Sequence, residues 1–250
     1  MFRYIIKLTE IYLSAIAENK GDTVINNYMN IMPASEFIYQ SESIIRNRRY
    51  FLRMDSRIYY SMLRRTDCEA NEFSETYIDI KDFFFEWESL SSHDYYLIKD
   101  SIEKFQDYTF WDSNNKKKKK LFDYIKYDYF SHEIVGKFSD DVKEDLLRPK
   151  EELVKIPFYD LVKIKKSKFS SKIYEFLCMF SESGSSSWMI PSREMAKILS
   201  EKELYIKQPF LMMKNIIIPS VKIITESIDG MDVSCEINRN KRIIFTITRL

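Results

Sequence analysis

The feature that most constrains the fold of this chain is an order of helical and β-prone segments that occurs twice, with a period of roughly half the chain. Ile58-Tyr59-Tyr60-Ser61-Met62-Leu63 lies in an apolar helical stretch, and Ile173-Tyr174-Glu175-Phe176-Leu177-Cys178 lies in another, 115 positions later. Each reads as the first helix of its half. Next come Tyr77-Ile78-Asp79-Ile80 and Trp188-Met189-Ile190-Pro191, short β-prone runs 111 residues apart that lead into the helical segments Lys81 to Trp87 and Ser192 to Leu199. A third helix follows in both halves. Tyr95, Ile98, Ile102 and Phe105 fall at helical spacing after the capping candidates Ser91 and Ser92, and residues 208 to 226 are the counterpart. Each half closes on two β-rich runs that read as a hairpin: Tyr108 to Trp111 with Leu121 to Tyr127, and Met231 to Ile237 with Arg242 to Thr248 around Asn238-Arg239-Asn240. Helix, strand, helix, helix, hairpin is the winged-helix order, a helix-turn-helix variant whose third helix commonly enters the DNA major groove.

The predicted fold class is therefore α+β: two tandem winged-helix domains related by an internal pseudo-repeat, with an N-terminal extension. Domain 1 is expected over residues 41–150, domain 2 over 151–250 and the extension over 1–40, where Ile5, Leu8, Tyr12 and Ile16 have helical spacing. An unrelated α+β chain could show the same order by chance, so function needs further signals.

Composition removes several functions. A chain of 250 residues that is 45% hydrophobic and 15% aromatic can bury a substantial core, which argues against disorder. Only four Gly are present and neither GxGxxG nor GxxxxGK[ST] occurs, so a phosphate-cradling NTPase is disfavoured. His93 and His132 are far apart, with no Cys-x-x-Cys nearby, and nothing calls for a metal or a cofactor. They read as polar loop residues, and Asp140-Asp141 as helix caps. Cys68, Cys178 and Cys235 are odd in number, scattered and not preceded by a recognisable signal peptide, and no apolar run reaches membrane-spanning length; a cytoplasmic, non-membrane protein is expected. Net charge is +1, yet residues 155–250 hold 16 Lys+Arg against 10 Asp+Glu while residues 1–154 hold 23 against 28. The basic excess lies in the C-terminal part.

Over roughly residues 44–250 the sequence resembles the plasmid replication initiator family, the Rep proteins that bind repeated origin sequences called iterons. In the first half the matching runs are Tyr77-Ile78-Asp79-Ile80-Lys81-Asp82-Phe83, Tyr95 through Phe105, Glu133-Ile134-Val135-Gly136-Lys137-Phe138-Ser139-Asp140-Asp141-Val142 and Leu146-Leu147. In the second half Lys168 through Leu177 resembles the family's domain-opening helix, followed by Trp188-Met189-Ile190-Pro191 and a helix ending in Ile198-Leu199. Ile216-Ile217-Ile218-Pro219-Ser220-Val221 resembles its proline-containing recognition helix. The resemblance implies a first domain for dimerisation and auxiliary DNA contact, a second that reads the iteron, dimers that repress and monomers that initiate.

Pro209 suits the first turn of the third helix in domain 2, with Lys207 and Gln208 at its entrance. Its apolar stripe admits two registers. One buries Phe210, Met213, Ile217, Val221 and Ile224 and exposes Gln208 and Asn215; the other buries Met212, Ile216 and Ile223 beside Ser220 and turns Lys207, Leu211, Lys214 and Lys222 outward with Asn215 at the edge. The family's proline position favours the second, although Met212 and Met213 stand where the family more often has Arg or Lys. Gln and Asn pair with adenine and Lys reaches guanine or phosphate, which makes Gln208, Lys214 and Asn215 the base-reading candidates. Phosphate contacts are expected from Arg239, Lys241 and Arg242 in the hairpin tip, from Lys165, Lys166, Lys168 and Lys172 around the opening helix, and from Arg193. In domain 1 the run Lys116, Lys117, Lys118, Lys119 and Lys120 reads as a hairpin turn, either a solvated loop or a DNA-backbone contact.

The leading expectation is a non-enzymatic origin binder with no catalytic residue, whose partners are double-stranded iteron DNA, the host replication initiator and helicase, and a second copy of itself. The alternatives are a tandem winged-helix repressor acting at operators and a winged-helix protein-interaction module. A rolling-circle nicking enzyme would need a His pair that is missing from the sequence.

Overall fold

The structure, a computed structural model, describes residues 35–250 outside the stretches 48–50, 81–90, 113–116, 149, 165–167, 182–186, 200–202 and 250. Expectations for the N-terminal extension up to residue 34 and for a helix over 81–87 lie outside the described residues. Residues 35–250 group as one compact unit.

The first half begins with strand β1 (Phe37–Gln40), helix α1 (Glu42–Arg46) and helix α2 (Arg53–Arg64). The extension thus ends in a strand rather than a helix. Helix α2 buries Met54, Ile58, Tyr59, Met62 and Leu63, the spacing of one helix face. Strand β2 (Thr76–Asp79) and helix α3 (Ser92–Gln106) follow. Helix α3 starts at the expected cap: the Asp94 N–H donates to Ser91 Oγ at 3.2 Å, and the Ser91 N–H returns a bond to Asp94 Oδ2 at 2.9 Å. Bonds from the Ser91 hydroxyl and N–H hold the Asp94 carboxyl below its usual range. Ser91→Ala is expected to cost about 1 kcal/mol of stability, read as a lower urea midpoint.

Asp55, 1% exposed, fixes α2 against α3 by accepting bonds from the Leu52 N–H (2.8 Å), the Ser101 hydroxyl (2.7 Å) and the Lys104 ammonium. Phe51, Tyr59, Phe105, Phe122 and Phe138 fill the space between these helices and the sheet, with ring centroids 4.7–6.3 Å apart.

After α3 the structure departs from the expected single hairpin. Among the described residues strands β3 (Thr109–Asp112) and β4 (Lys117–Lys120) pair only with each other, and the wing of this half is made by β5 (Phe122–Asp128) and β6 (Glu133–Phe138). The sheet order is β2-β6-β5. Leu121 to Tyr127 is a wing strand as expected, but its partner is the Glu133 stretch rather than Tyr108 to Trp111. Strand β6 passes close to α2: a Cβ on Gly136 would lie 3.1 Å from the Tyr124 carbonyl oxygen and 3.2 Å from Met62 Cε. Ser139, not the aspartates after it, caps the short turn that follows, its Oγ accepting the Asp141 N–H at 3.3 Å. His132 does lie in a turn, with φ 58°, whereas His93 sits in the first turn of α3 and stacks on Tyr96.

Helix α4 (Lys143–Leu146), strand β7 (Val154–Pro157) and helix α5 (Phe158–Lys163) lead into the second half. There the order repeats: α6 (Lys168–Ser181), β8 (Ser187–Pro191), α7 (Ser192–Leu199), α8 (Glu203–Lys207), the 209–227 helix, then β9 (Met231–Ile237) and β10 (Arg242–Arg249). Its sheet, β8-β10-β9, has the same connectivity as β2-β6-β5: the strand between the first two helices pairs with the second wing strand. Trp188 stacks between Phe180 and Phe245 at 4.0 and 5.3 Å and anchors this sheet on α6.

The two halves are knitted together. Strand β1 pairs antiparallel with β7, so a cut at 150/151 separates β7 from its partner strand. The Tyr60 hydroxyl on α2 donates to Glu175 on α6 at 2.9 Å, and Arg46 pairs with Glu194 on α7 at 2.8 Å.

Candidate nucleic-acid interface

The third helix of the second half spans 209–227 and contains a π turn. Pro209 occupies its first turn, where a missing N–H leaves no bond unmade. Residues Pro209–Met212 are α-helical, Met213–Ile217 form the π turn, and Ile218–Ser227 resume the α-helix. The cause is Pro219. It has no N–H for the carbonyl of Asn215, and its ring crowds that carbonyl, so the preceding turn widens and the Ile218 N–H donates to the Met213 carbonyl instead.

This widening resolves the two registers. Met212 and Met213, Ile216 and Ile217, then Ser220, Val221 and Ile224 are buried, a repeat of four residues drawn from both expected sets. On a regular helix a four-residue step rotates about 40° off the face each time, and the wider turn takes up that drift. Of Phe210 and Ile223, each expected inward in one register, Phe210 is exposed, while Ile223 is half-buried and packs against the edge of the core. The outward face carries Phe210, Lys214, Asn215, Ile218 and Lys222, with Leu211 half-buried beside it, and the exposed Lys207, the last residue of α8, and Gln208, the N-cap, precede it. Lys207 and Lys222 pair with Glu203 and Glu226 at 3.3 and 3.7 Å, exposed i,i+4 contacts too weak to hold a lysine from a phosphate.

The β9–β10 hairpin is the second-half wing. Asn238 Oδ1 accepts the N–H groups of Asn240 and Arg242, each at 3.0 Å, and Lys241 adopts φ 56°, so the turn is held by backbone bonds while Arg239, Lys241 and Arg242 stay exposed. The Ser192 N–H donates to the Lys241 carbonyl at 2.9 Å and Arg242 pairs with Pro191, which places the exposed Arg193 beside the turn at the tip of the wing. Helix α7 also packs on the start of the 209–227 helix, so one helix supports both cationic elements. Burial pushes the Cys235 thiol on β9 up to about 11, which keeps it protonated at neutral pH.

Two groups of expected DNA contacts fall elsewhere. Lys172 is buried on α6, with Nζ 3.2 Å from the fully buried Glu175 and 5.7 Å from the Phe176 ring centre. It lies on the face of α6 that meets α2, which overrules a phosphate role. Lys172→Met is expected to lower stability by about 1.5–3 kcal/mol and leave the salt dependence of DNA binding unchanged. Lys165 and Lys166 lie outside the described residues, as does the side chain of Lys168, which opens α6. Lys116 is outside them too. Lys117, Lys118, Lys119 and Lys120 are not a loop but strand β4, with Lys117 opposite Asp112 and Lys118 opposite Trp111. Lys117 and Lys118 are exposed; Lys119 is 2% exposed and forms a 2.6 Å ion pair with Asp145.

Sequence reasoning missed Phe210 and Ile218 as surface residues. The available signal was their four-residue spacing with Lys214 and Lys222. The counterpart helix α3 differs in character: its exposed face carries His93, Tyr96, Lys99, Asp100 and Glu103, and Lys99 is paired with Glu103 at 3.9 Å. That face offers a phosphate little. Among the described residues no group of acidic, His and Cys side chains is arranged to hold a metal, and no helix is long and apolar enough to cross a membrane.

Residues 37–178 match the family described as "Initiator Replication protein, WH1". Among solved structures, the chain is similar to the one titled "Crystal structure of Pi initiator protein in complex with iteron DNA", with a TM-score of 0.70 over 87% of this chain and 99% of that one. Identity is 11%, so this likeness is one of fold. No curated protein matches the chain.

Proposed function

The chain belongs to the initiator replication protein family, and from that premise we propose that it starts plasmid replication by binding direct repeats of double-stranded origin DNA, its iterons. The observation that carries this reading is the outward face of the 209–227 helix, where Lys214, Asn215 and Lys222 are exposed together, with Lys207 and Gln208 exposed just before its first turn and a wing bearing Arg239, Lys241 and Arg242 beside it. Such a helix fits the major groove and such a wing the phosphates that flank it. The Pi initiator protein, crystallised with iteron DNA, shares the fold, which supports the same use of it here.

In this reading domain 2, over 151–250, reads the repeat; domain 1, over 41–150, contributes dimerisation and auxiliary backbone contact through Lys117 and Lys118. Binding energy spent on bending or untwisting adjacent AT-rich steps, of the order of 1–6 kcal/mol, helps to open the origin. The opened origin then receives the host initiator and helicase, and the dimer represses its own gene.

Fluorescence anisotropy tests the core of this. Purified protein is titrated with the direct repeats that lie beside its own gene and with scrambled DNA, at several salt concentrations. Tight, salt-sensitive and repeat-selective binding is expected. Equal binding to scrambled DNA, or none to either, overturns the reading.

A further inference from the structure

The cationic stripe of the 209–227 helix is interrupted by two large apolar side chains in water. Phe210 is 65% exposed and Ile218 is 51% exposed, and they alternate with Lys214 and Lys222 in steps of four residues. A helix face left to water would be polar at such positions. The π turn at Met213–Ile217 bears on their alignment. Eight residues of regular helix would turn Ile218 about 80° away from Phe210, and the wide turn between them takes back part of that rotation. Both apolar side chains therefore present to the same side as the lysines.

The neighbouring charges decide what such a face meets. Protein interfaces are depleted in lysine at their apolar centres, whereas here the apolar residues and the lysines alternate turn by turn along one face. A major groove has the opposite composition: anionic walls, and on its floor the C5-methyl group of thymine, the apolar feature of an A·T pair that the minor groove lacks. We propose that Phe210 and Ile218 are specificity-determining residues that read thymine methyl groups in the repeat, with Lys214 and Lys222 reaching the acceptors or phosphates around them. The inference rests on the DNA-binding reading above and adds the chemistry of what is read. It also accounts for an amide-poor helix, since Gln208 and Asn215 are its exposed adenine-reading side chains and the remaining discrimination comes from the T partner of each pair.

Thymine-to-deoxyuridine substitution isolates the methyl group and leaves every hydrogen bond in place. Duplexes of the direct repeats beside the gene are made with single thymines replaced by deoxyuridine and titrated by anisotropy with the full chain. Replacement at the thymines that face Phe210 and Ile218 is expected to weaken binding about fourfold each, the loss of one buried methyl. Phe210→Ala is expected to bind its thymine and deoxyuridine duplexes equally, and Ile218→Ala likewise at a second position. Lys214→Ala is expected to bind both more weakly and keep the difference. Both apolar side chains are exposed, so these variants retain the fold, which circular dichroism confirms before titration. Equal binding of thymine and deoxyuridine duplexes by the unaltered protein overturns the inference and leaves the DNA-binding reading intact. So does a difference that persists in both alanine variants, or a Phe210→Ala effect confined to self-association. Failure to bind any repeat duplex overturns both.

Discussion

Replacing Lys119 with alanine is expected to lower the unfolding free energy by about 3–5 kcal/mol, the cost of stranding a buried charge, whereas the same change at Lys117 or Lys118 leaves stability within about 0.5 kcal/mol of the parent. Three adjacent lysines of one strand thus behave as two kinds of residue. Lys118 and Lys119 point to opposite faces of strand β4, Lys118 to water and Lys119 inward, where its ammonium lies 2.6 Å from Asp145 Oδ2, while Lys117 is exposed at the start of the strand. Asp145 is itself 4% exposed and also accepts the Ser41 hydroxyl at 2.9 Å, while its carbonyl accepts the Ser41 N–H at 2.9 Å. Lys119, Asp145 and Ser41 therefore join the inserted hairpin, helix α4 and the cap of α1. Removing the ammonium leaves a carboxylate in a site too dry to solvate it. Urea denaturation of the single alanine variants checks the contrast, and a Lys119→Met, Asp145→Leu double variant is expected to recover most of the loss, because it removes both charges. Similar midpoints for all three alanine variants would return the run to the solvated-loop reading.

The same run shows where sequence reading stops. Five consecutive lysines carry no period that distinguishes faces, so the alternation that buries Lys119 is set by pairing with β3, which a single sequence does not display. Lys172 is a similar case. Its helix was legible from Ile173, Phe176 and Leu177, but its burial is a matter of tertiary packing, and its partner Glu175 is bound by Tyr60 from the other half of the chain. By contrast, elements whose signals are local came through closely: the Ser91 cap of α3, the Ser192–Leu199 helix, and the Asn238-Arg239-Asn240 turn whose side chain closes its own backbone bonds. The first-half wing fell between these extremes. Three β-prone runs follow α3, and the correct pairing of the second with the third is fixed by the shared sheet with β2, a contact across more than fifty residues. In the 209–227 helix both apolar registers were visible, and neither was complete, because Pro219 changes the helical period midway and the periodic test assumes one period throughout.

Converting Arg239, Lys241 and Arg242 together to alanine is expected to change the salt dependence of DNA binding more than its selectivity. Each phosphate that the variant no longer neutralises takes about 0.9 from the slope of log K against log salt, so the triple variant falls short of the parent slope by about 2.7. Between 50 mM and 200 mM salt the variant then loses about 40-fold less affinity than the parent does, since that span is about 0.6 log units. Its ratio of repeat to scrambled binding is expected to stay nearly constant, because a wing on the phosphates positions the protein without reading bases. The hairpin itself should persist: its closing bonds run from the Asn238 side chain and between backbone groups, including the Lys241 carbonyl that holds Ser192, and none uses the three side chains removed. Lys214→Ala is the counter-case, expected to reduce repeat binding by about 1–3 kcal/mol where the lysine meets a base edge and to narrow the ratio. Anisotropy titrations at four or five salt concentrations, on repeat and scrambled duplexes, separate the two patterns. A triple variant with an unaltered slope would place the wing away from the DNA and leave the phosphate contacts to the 209–227 helix and the other exposed cations of the second half.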